Sequence, residues 1–175
     1  DITSMFNLDH LTFGAKMDKY IATRVGGDLP RMVLGTVHAP LRAPFGISTP
    51  FAGGGDNDDR RTFDLEIDEE MAAVLRAMDE KVVITAVERS EEWFGKKLEE
   101  VVLRSMHNPL VQQKEGKKPM VRTKFSVKRD KETKVYTSTA EGEARLGSKA
   151  DIEKNAEVCV DVVMSSVMLS RSSFN

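Results

Sequence analysis

The run Thr62-Phe-Asp-Leu-Glu-Ile-Asp68, continued by Glu69-Glu-Met-Ala-Ala-Val-Leu-Arg-Ala-Met78, changes its period part-way through. Phe63, Leu65 and Ile67 alternate with Asp64, Glu66 and Asp68, which predicts a half-buried strand with a wet, acidic side. Asp68 is placed to cap a helix, and Glu69 and Glu70 fall in a first turn where negative charge suits the helix dipole. Met71, Val74, Leu75 and Met78 then recur at helical spacing. A strand that turns directly into a helix sets the expectation of mixed α and β structure.

Downstream, Lys81 to Trp93 continues with Val83, Ala86 and Val87 at helical spacing, although Val82-Val83-Ile84 is β-branched and equally able to begin a strand. Ser90 is placed to cap a short turn ended by Gly95. The adjacent aromatics Trp93 and Phe94 read as core. Leu98, Val101, Val102 and Met106 form a further amphipathic stretch, stopped by Asn108-Pro109. The period then returns to two. Val121, Thr123, Phe125 and Val127 share one face of a strand, and Met120, Arg122, Lys124, Ser126 and Lys128 share the other. Lys134-Val-Tyr-Thr-Ser138 reads as the return strand of a hairpin. Ala156 to Met164 alternates over one long strand, with Cys159 and Asp161 facing away from the valines.

Upstream, Leu8 to Met17 and Arg31 to Val37 are β-compatible, separated by a turn at Val25–Pro30. Three prolines between Pro40 and Pro50 allow only an edge strand or extended arm. Phe51 to Asp59 is a loop by composition. Strands, then helices over about 69–106, then strands predict one α+β domain spanning 1–175: a curved antiparallel sheet with an inserted helical segment.

The 175 residues are 31% charged and 40% hydrophobic with net charge -2, a globular composition that excludes a polycation gripping its partner by bulk charge. The longest apolar run is the five residues Met71 to Leu75, so no membrane span is expected. Asp1-Ile-Thr-Ser4 lacks the basic and apolar regions of a secretion signal, which sets the expectation of a soluble intracellular domain. One cysteine, Cys159, excludes an internal disulfide, and within its valine-rich strand it reads as a small buried thiol. His10, His38 and His107 show no ligand spacing. Gly53-Gly-Gly55 is not followed by Lys-Ser/Thr, and Asp56-Asn-Asp-Asp59 lacks the spacing of a calcium loop. No cofactor, metal or catalytic residue is assigned.

Charge is unevenly placed. Gln112 to Lys134 holds nine Lys/Arg against three acids, and Asp56 to Glu70 holds eight acids against two arginines. A single nucleic-acid strand needs cations that track phosphates and flat side chains that stack bases. Arg122, Lys124 and Lys128 supply such cations from one strand face, at roughly 7 Å spacing for alternate residues. Lys134 and Tyr136 would join them from a paired return strand, and Lys117, Lys118, Arg129 and Lys131 would extend the field at its ends. The same residues also read as an ordinary solvated hairpin whose lysines block edge aggregation.

Five segments in order, Leu41-Arg-Ala-Pro-Phe-Gly-Ile-Ser48, Phe63-Asp-Leu-Glu-Ile67, Glu92-Trp-Phe-Gly95, Asn108-Pro-Leu-Val111 and Pro119-Met-Val-Arg-Thr-Lys-Phe125, carry a resemblance. Their succession resembles the single-stranded-DNA-binding-like proteins of nucleocytoplasmic large DNA viruses, a family similar to the OB-fold single-stranded-DNA-binding proteins of short-tailed phages. It covers roughly residues 41–127. The resemblance implies an OB-like antiparallel barrel with a helical insertion. It implies a non-catalytic protein that coats DNA during replication, recombination or repair in an infected cell, at the nucleus or a cytoplasmic replication site. Its implied partners are single-stranded DNA, replication proteins and further copies of itself, with no membrane. Phe45 or Phe51 would assist Tyr136 in stacking. The phage proteins end in an acidic tail closed by an aromatic; Ser170 to Asn175 holds Phe174 but no acid.

Two other classes compete. In one, the chain is a structural or assembly protein in which the acidic segment of one subunit pairs with the basic hairpin of another. In the other, Asp56, Asp58, Asp59 and Asp64 form a diffuse carboxylate site.

Overall fold

Asp68 is an N-cap: its Oδ1 accepts the Met71 backbone N–H at 2.7 Å, and α1 (Glu69–Glu88) runs on for 20 residues. The computed structural model describes residues 8–48, 60–127, 132–138 and 142–175. Val82 and Val83 stay helical because both are buried in the core. That burial outweighs the few tenths of a kcal/mol that each β-branched residue costs a helix. After α1 come α2 (Ser90–Phe94) and α3 (Glu100–Met106). Gly95 ends α2 at φ 75°, the left-handed conformation that glycine adopts without strain. Ser90 does not cap α2: its hydroxyl donates to the Lys96 carbonyl and accepts from the Leu98 N–H, so it fastens the loop beyond the helix.

The strands before the helices are β1 (Leu11–Met17), β2 (Tyr20–Val25), β3 (Arg31–Leu34), β4 (Leu41–Ala43) and β5 (Arg60–Glu66). After them come β6 (Val111–Gln112), β7 (Met120–Ser126), β8 (Tyr136–Ser138), β9 (Ala144–Leu146), β10 (Ala156–Val158), β11 (Val160–Val163) and β12 (Ser166–Met168). Every named ladder is antiparallel. The molecule is an α+β protein, and among the described residues its ladders fall into separate two- and three-stranded sheets that do not close into a barrel.

The expected long strand from Ala156 to Met164 is divided. β10 pairs with β4, β11 with β3, and β12 with β2, so the C-terminal run retraces the N-terminal strands in reverse order. The break falls at Cys159 because β3 and β4 are themselves separated by a turn, closed by reciprocal backbone bonds between Thr36 and Ala39. Cys159 is exposed rather than buried. On a strand whose valines point inward, the alternate residue faces water. Gly35 (φ 75°) sits at that turn, where a Cβ would lie 3.2 Å from the Val158 carbonyl oxygen. Gly35→Ala should therefore destabilise the chain by about 1–3 kcal/mol, read as a lowered urea midpoint at unchanged slope; an unaltered midpoint would contradict the close passage.

Two hydrophobic clusters share α1. Its first half packs Met71, Ala72, Leu75 and Met78 against Phe63, Leu65, Val121 and Phe125 of the β5–β7 sheet. Its second half joins Ile21, Trp93, Leu103, Val167 and Phe174. Trp93 is buried as expected, edge-on to Phe13 at 5.9 Å, and Phe94 meets Phe174 at 5.6 Å. Phe174 is 1% exposed and is a core residue. No helix is long and apolar enough among the described residues to cross a membrane.

Candidate nucleic-acid interface

β7 alternates as its sequence predicts. Val121 and Phe125 are buried, Thr123 donates its hydroxyl to the Phe63 carbonyl at 2.8 Å, and Arg122 and Lys124 face outward. Its neighbours, however, are β5 and β6. The expected return strand Lys134–Ser138 instead contributes β8, which pairs with β9, so the predicted hairpin partner of β7 is corrected. Only the start of that hairpin survives: the Thr133 N–H donates to the Ser126 carbonyl, and the Ser126 N–H donates to the Thr133 hydroxyl. The physical reason is β5, whose alternating Phe63 and Leu65 bury against the same core as β7 and occupy that edge along seven residue pairs.

This neighbour changes the role of Arg122. Asp64 stands directly across the ladder, and Arg122 Nε and Nη2 bind its two oxygens at 2.8 and 2.9 Å. Two parallel charge-assisted bonds of this kind fix both groups. Hydrogen bonding to Asp64 raises the guanidinium pKa above its ordinary value. Arg122 is thus committed to a carboxylate that is itself 9% exposed, and is not an available phosphate ligand. The next acid on that face, Glu66, is held by Arg42 at 3.3 Å, with Arg42 Nη2 also donating to Asn155 Oδ1 at 2.7 Å.

Lys124 lies opposite Thr62, is exposed, and has no ion-pair partner among the described residues. Lys117 and Lys118 are exposed in the β6–β7 loop, where the Lys117 N–H closes a turn onto the Lys114 carbonyl. Lys134 is exposed two residues before Tyr136. Tyr136 is 61% exposed and stands across β8–β9 from Leu146, itself 69% exposed, so a ring and an aliphatic side chain share one open surface. Phe45 is 60% exposed on the turn after β4. Lys128, Arg129, Lys131 and Phe51 lie outside the described residues, as do Asp56, Asp58 and Asp59 of the carboxylate reading. Asp64, the remaining member of that set, is occupied by Arg122. Among the described residues no group of three or more His, Cys, Asp or Glu is placed to hold a metal ion.

One titratable contact has no local sequence signal. His107 Nε2 lies 3.3 Å from Asp79 Oδ1, while Asp79 Oδ2 accepts the Leu110 N–H at 2.9 Å. Both side chains are largely buried, and His107 packs edge-on to Phe174 at 5.1 Å. Burial pushes the Asp79 carboxyl up to about 7 and holds the His107 imidazole below its ordinary value. The pair ties α1 to the segment after α3.

Comparison of the chain with protein-family models, with curated proteins and with solved structures finds no match.

Proposed function

We propose that this chain binds single-stranded nucleic acid, DNA by preference, independently of sequence and without catalysis. The observation that carries the reading is a selective neutralisation. On the outward face of β5 and β7 the acids Asp64 and Glu66 are bound by Arg122 and Arg42, while Lys124 on that face, and Lys117 and Lys118 in the loop leading into β7, are exposed with no ion-pair partner among the described residues. A polyanion approaching β7 meets Lys124 beside carboxylates that are already paired, and in the adjoining loop Lys114, Lys117 and Lys118 outnumber the one exposed acid, Glu115. Lys134 adds a cation two residues from Tyr136, whose exposed ring offers a stacking face that any base can use. Lys128 and Arg129 continue the same basic segment in sequence.

The resemblance to the viral single-stranded-DNA-binding-like proteins agrees with this reading and extends it to replication, recombination or repair of a large DNA virus. Within that proposal, antiparallel strands with helices inserted between β5 and β6 support an OB-type reading, although the described ladders do not close into a barrel. The assembly reading loses part of its motive, because Asp64 and Arg122 meet inside one chain.

Fluorescence-anisotropy titration with oligo-dT and with a duplex of equal length, each at two ionic strengths, tests the proposal. Tighter binding of the single strand, weakening steeply with salt, is expected. Oligomers whose size depends on salt, with no oligonucleotide bound, would favour assembly instead.

A further inference from the structure

A second basic surface lies far from β7 in the sequence and belongs to the other hydrophobic cluster. A cleft of about 490 Å³ opens between the β1–β2 turn, the end of α2, α3 and the turn after β12. Lys16, Lys19, Lys96 and Arg171 line it against a single acid, Asp18, giving a local charge of +3 in a chain whose total is -2. Lys16 is anchored by donating to the Trp93 carbonyl at 2.7 Å, and Lys19 lies over the Tyr20 ring at 5.5 Å. Lys96 and Arg171 are exposed, with no acid partner among the described residues.

Apart from Ser170, the rest of the lining is apolar and mainly aliphatic: Leu98, Val102, Met106 and Leu169, with Phe94. Val102, on α3, is 39% exposed within this lining. Trp93 also contributes to the lining, yet it is 1% exposed and so offers no open ring face to a base. Among the described residues its indole N–H is buried without a hydrogen-bond partner, an orphan donor of the kind that an acceptor oxygen satisfies. Cations on the rim demand an anionic occupant, and an aliphatic, thioether-containing floor favours branched side chains over flat bases.

We infer that this cleft docks an acidic peptide segment of a partner protein, carrying aliphatic anchor residues between its carboxylates. The anchors would fill the floor of Leu98, Val102, Met106 and Leu169, and the carboxylates would meet Lys96, Arg171, Lys16 and Lys19. The volume suits one or two such side chains, comparable to an ordinary small-ligand site.

The test uses the whole chain and a fluorescein-labelled peptide, Glu-Asp-Leu-Glu-Glu-Leu-Leu-Asp-Glu, with a version whose leucines are alanine and with oligo-dT. Binding is read by anisotropy and by the indole N–H resonance of Trp93, the chain's one tryptophan. Saturable binding of the leucine peptide that moves this resonance is expected, with about tenfold weaker binding of the alanine version and of the Lys96→Glu/Arg171→Glu variant. Both substituted side chains are exposed and without an acid partner among the described residues, so the variant should melt like the parent. The proposal is overturned if the leucine peptide does not bind, or if the alanine version binds equally well. It is also overturned if oligo-dT alone moves the resonance and is lost in the variant, which would make the cleft a nucleic-acid contact. A change in oligomeric state in the variant would assign the cleft to a second copy and overturn it as well.

Discussion

Replacing Arg122 by alanine is expected to destabilise the chain by about 2–3 kcal/mol, while Lys124→Ala, at the next outward position of the same strand, should stay within about 0.5 kcal/mol of the parent. Both are cations on β7, and only their partners differ. Removing Arg122 strands the Asp64 carboxylate, 9% exposed, beside β7 with two charge-assisted hydrogen bonds lost. The penalty lies below that of a fully buried pair because the Arg122 side chain keeps half its exposure. Asp64→Asn combined with Arg122→Ala should recover part of the loss, since no buried charge is then left alone. Urea unfolding of the four proteins measures this. An Arg122→Ala variant as stable as Lys124→Ala would show that the pair is an ornament of the surface and return Arg122 to the candidate phosphate ligands.

Asp79→Asn should stabilise the chain at pH 8 by about 1–2 kcal/mol and change little at pH 4, because one pKa unit corresponds to about 1.4 kcal/mol and residual hydration discounts the full shift. The sign comes from the carboxyl's raised value of about 7 against an ordinary 3.8. Between these the native chain holds a proton that the unfolded chain has released. Its contribution is therefore greatest below about pH 4, declines as pH rises, and levels off above about 7. His107 works oppositely: its lowered pKa makes the native imidazole release a proton that the unfolded chain keeps, so its contribution rises with pH up to its ordinary value of 6.5. Arg104, Glu80 and Arg76 face the same pocket and keep opposite charges around the pair. Asparagine keeps an acceptor for the Leu110 N–H while removing the buried charge, so only the His107 branch should remain. Parallel pH–stability profiles for variant and parent would contradict a carboxyl buried at a cost.

The local grammar of the chain was legible where one residue's environment is set by its neighbours in sequence. The Asp68 cap, the change of period within Thr62–Met78, the inward pair Val121 and Phe125, and the Gly95 stop all depend on period and backbone chemistry. Strand partners do not. Lys134–Ser138 is short, with Val135 its one inward aliphatic, and nothing within it chooses between β7 and β9. Long-range burial by Phe63 and Leu65 makes that choice. The Asp64–Arg122 pair had a partial signal, an acidic strand face and a basic strand face of equal length, and becomes certain only with the register. The cleft cations at positions 16, 19, 96 and 171 have no sequence signal, because three separate chain turns assemble them. Cys159 is exposed for a simpler reason: its neighbours Val158 and Val160 are half-buried on the side it does not face.

The salt dependence of oligo-dT affinity tests most directly whether Lys117, Lys118 and Lys124, rather than Arg122, hold the phosphates. For a single strand each neutralised phosphate contributes a slope of about -0.7 to log affinity against log salt. The Lys117→Glu/Lys118→Glu/Lys124→Glu variant should lose at least about tenfold in affinity and flatten that slope by about 2, with its urea midpoint unchanged. A variant that binds oligo-dT with the parent's affinity and the parent's slope would contradict the assignment and remove this face from the interface.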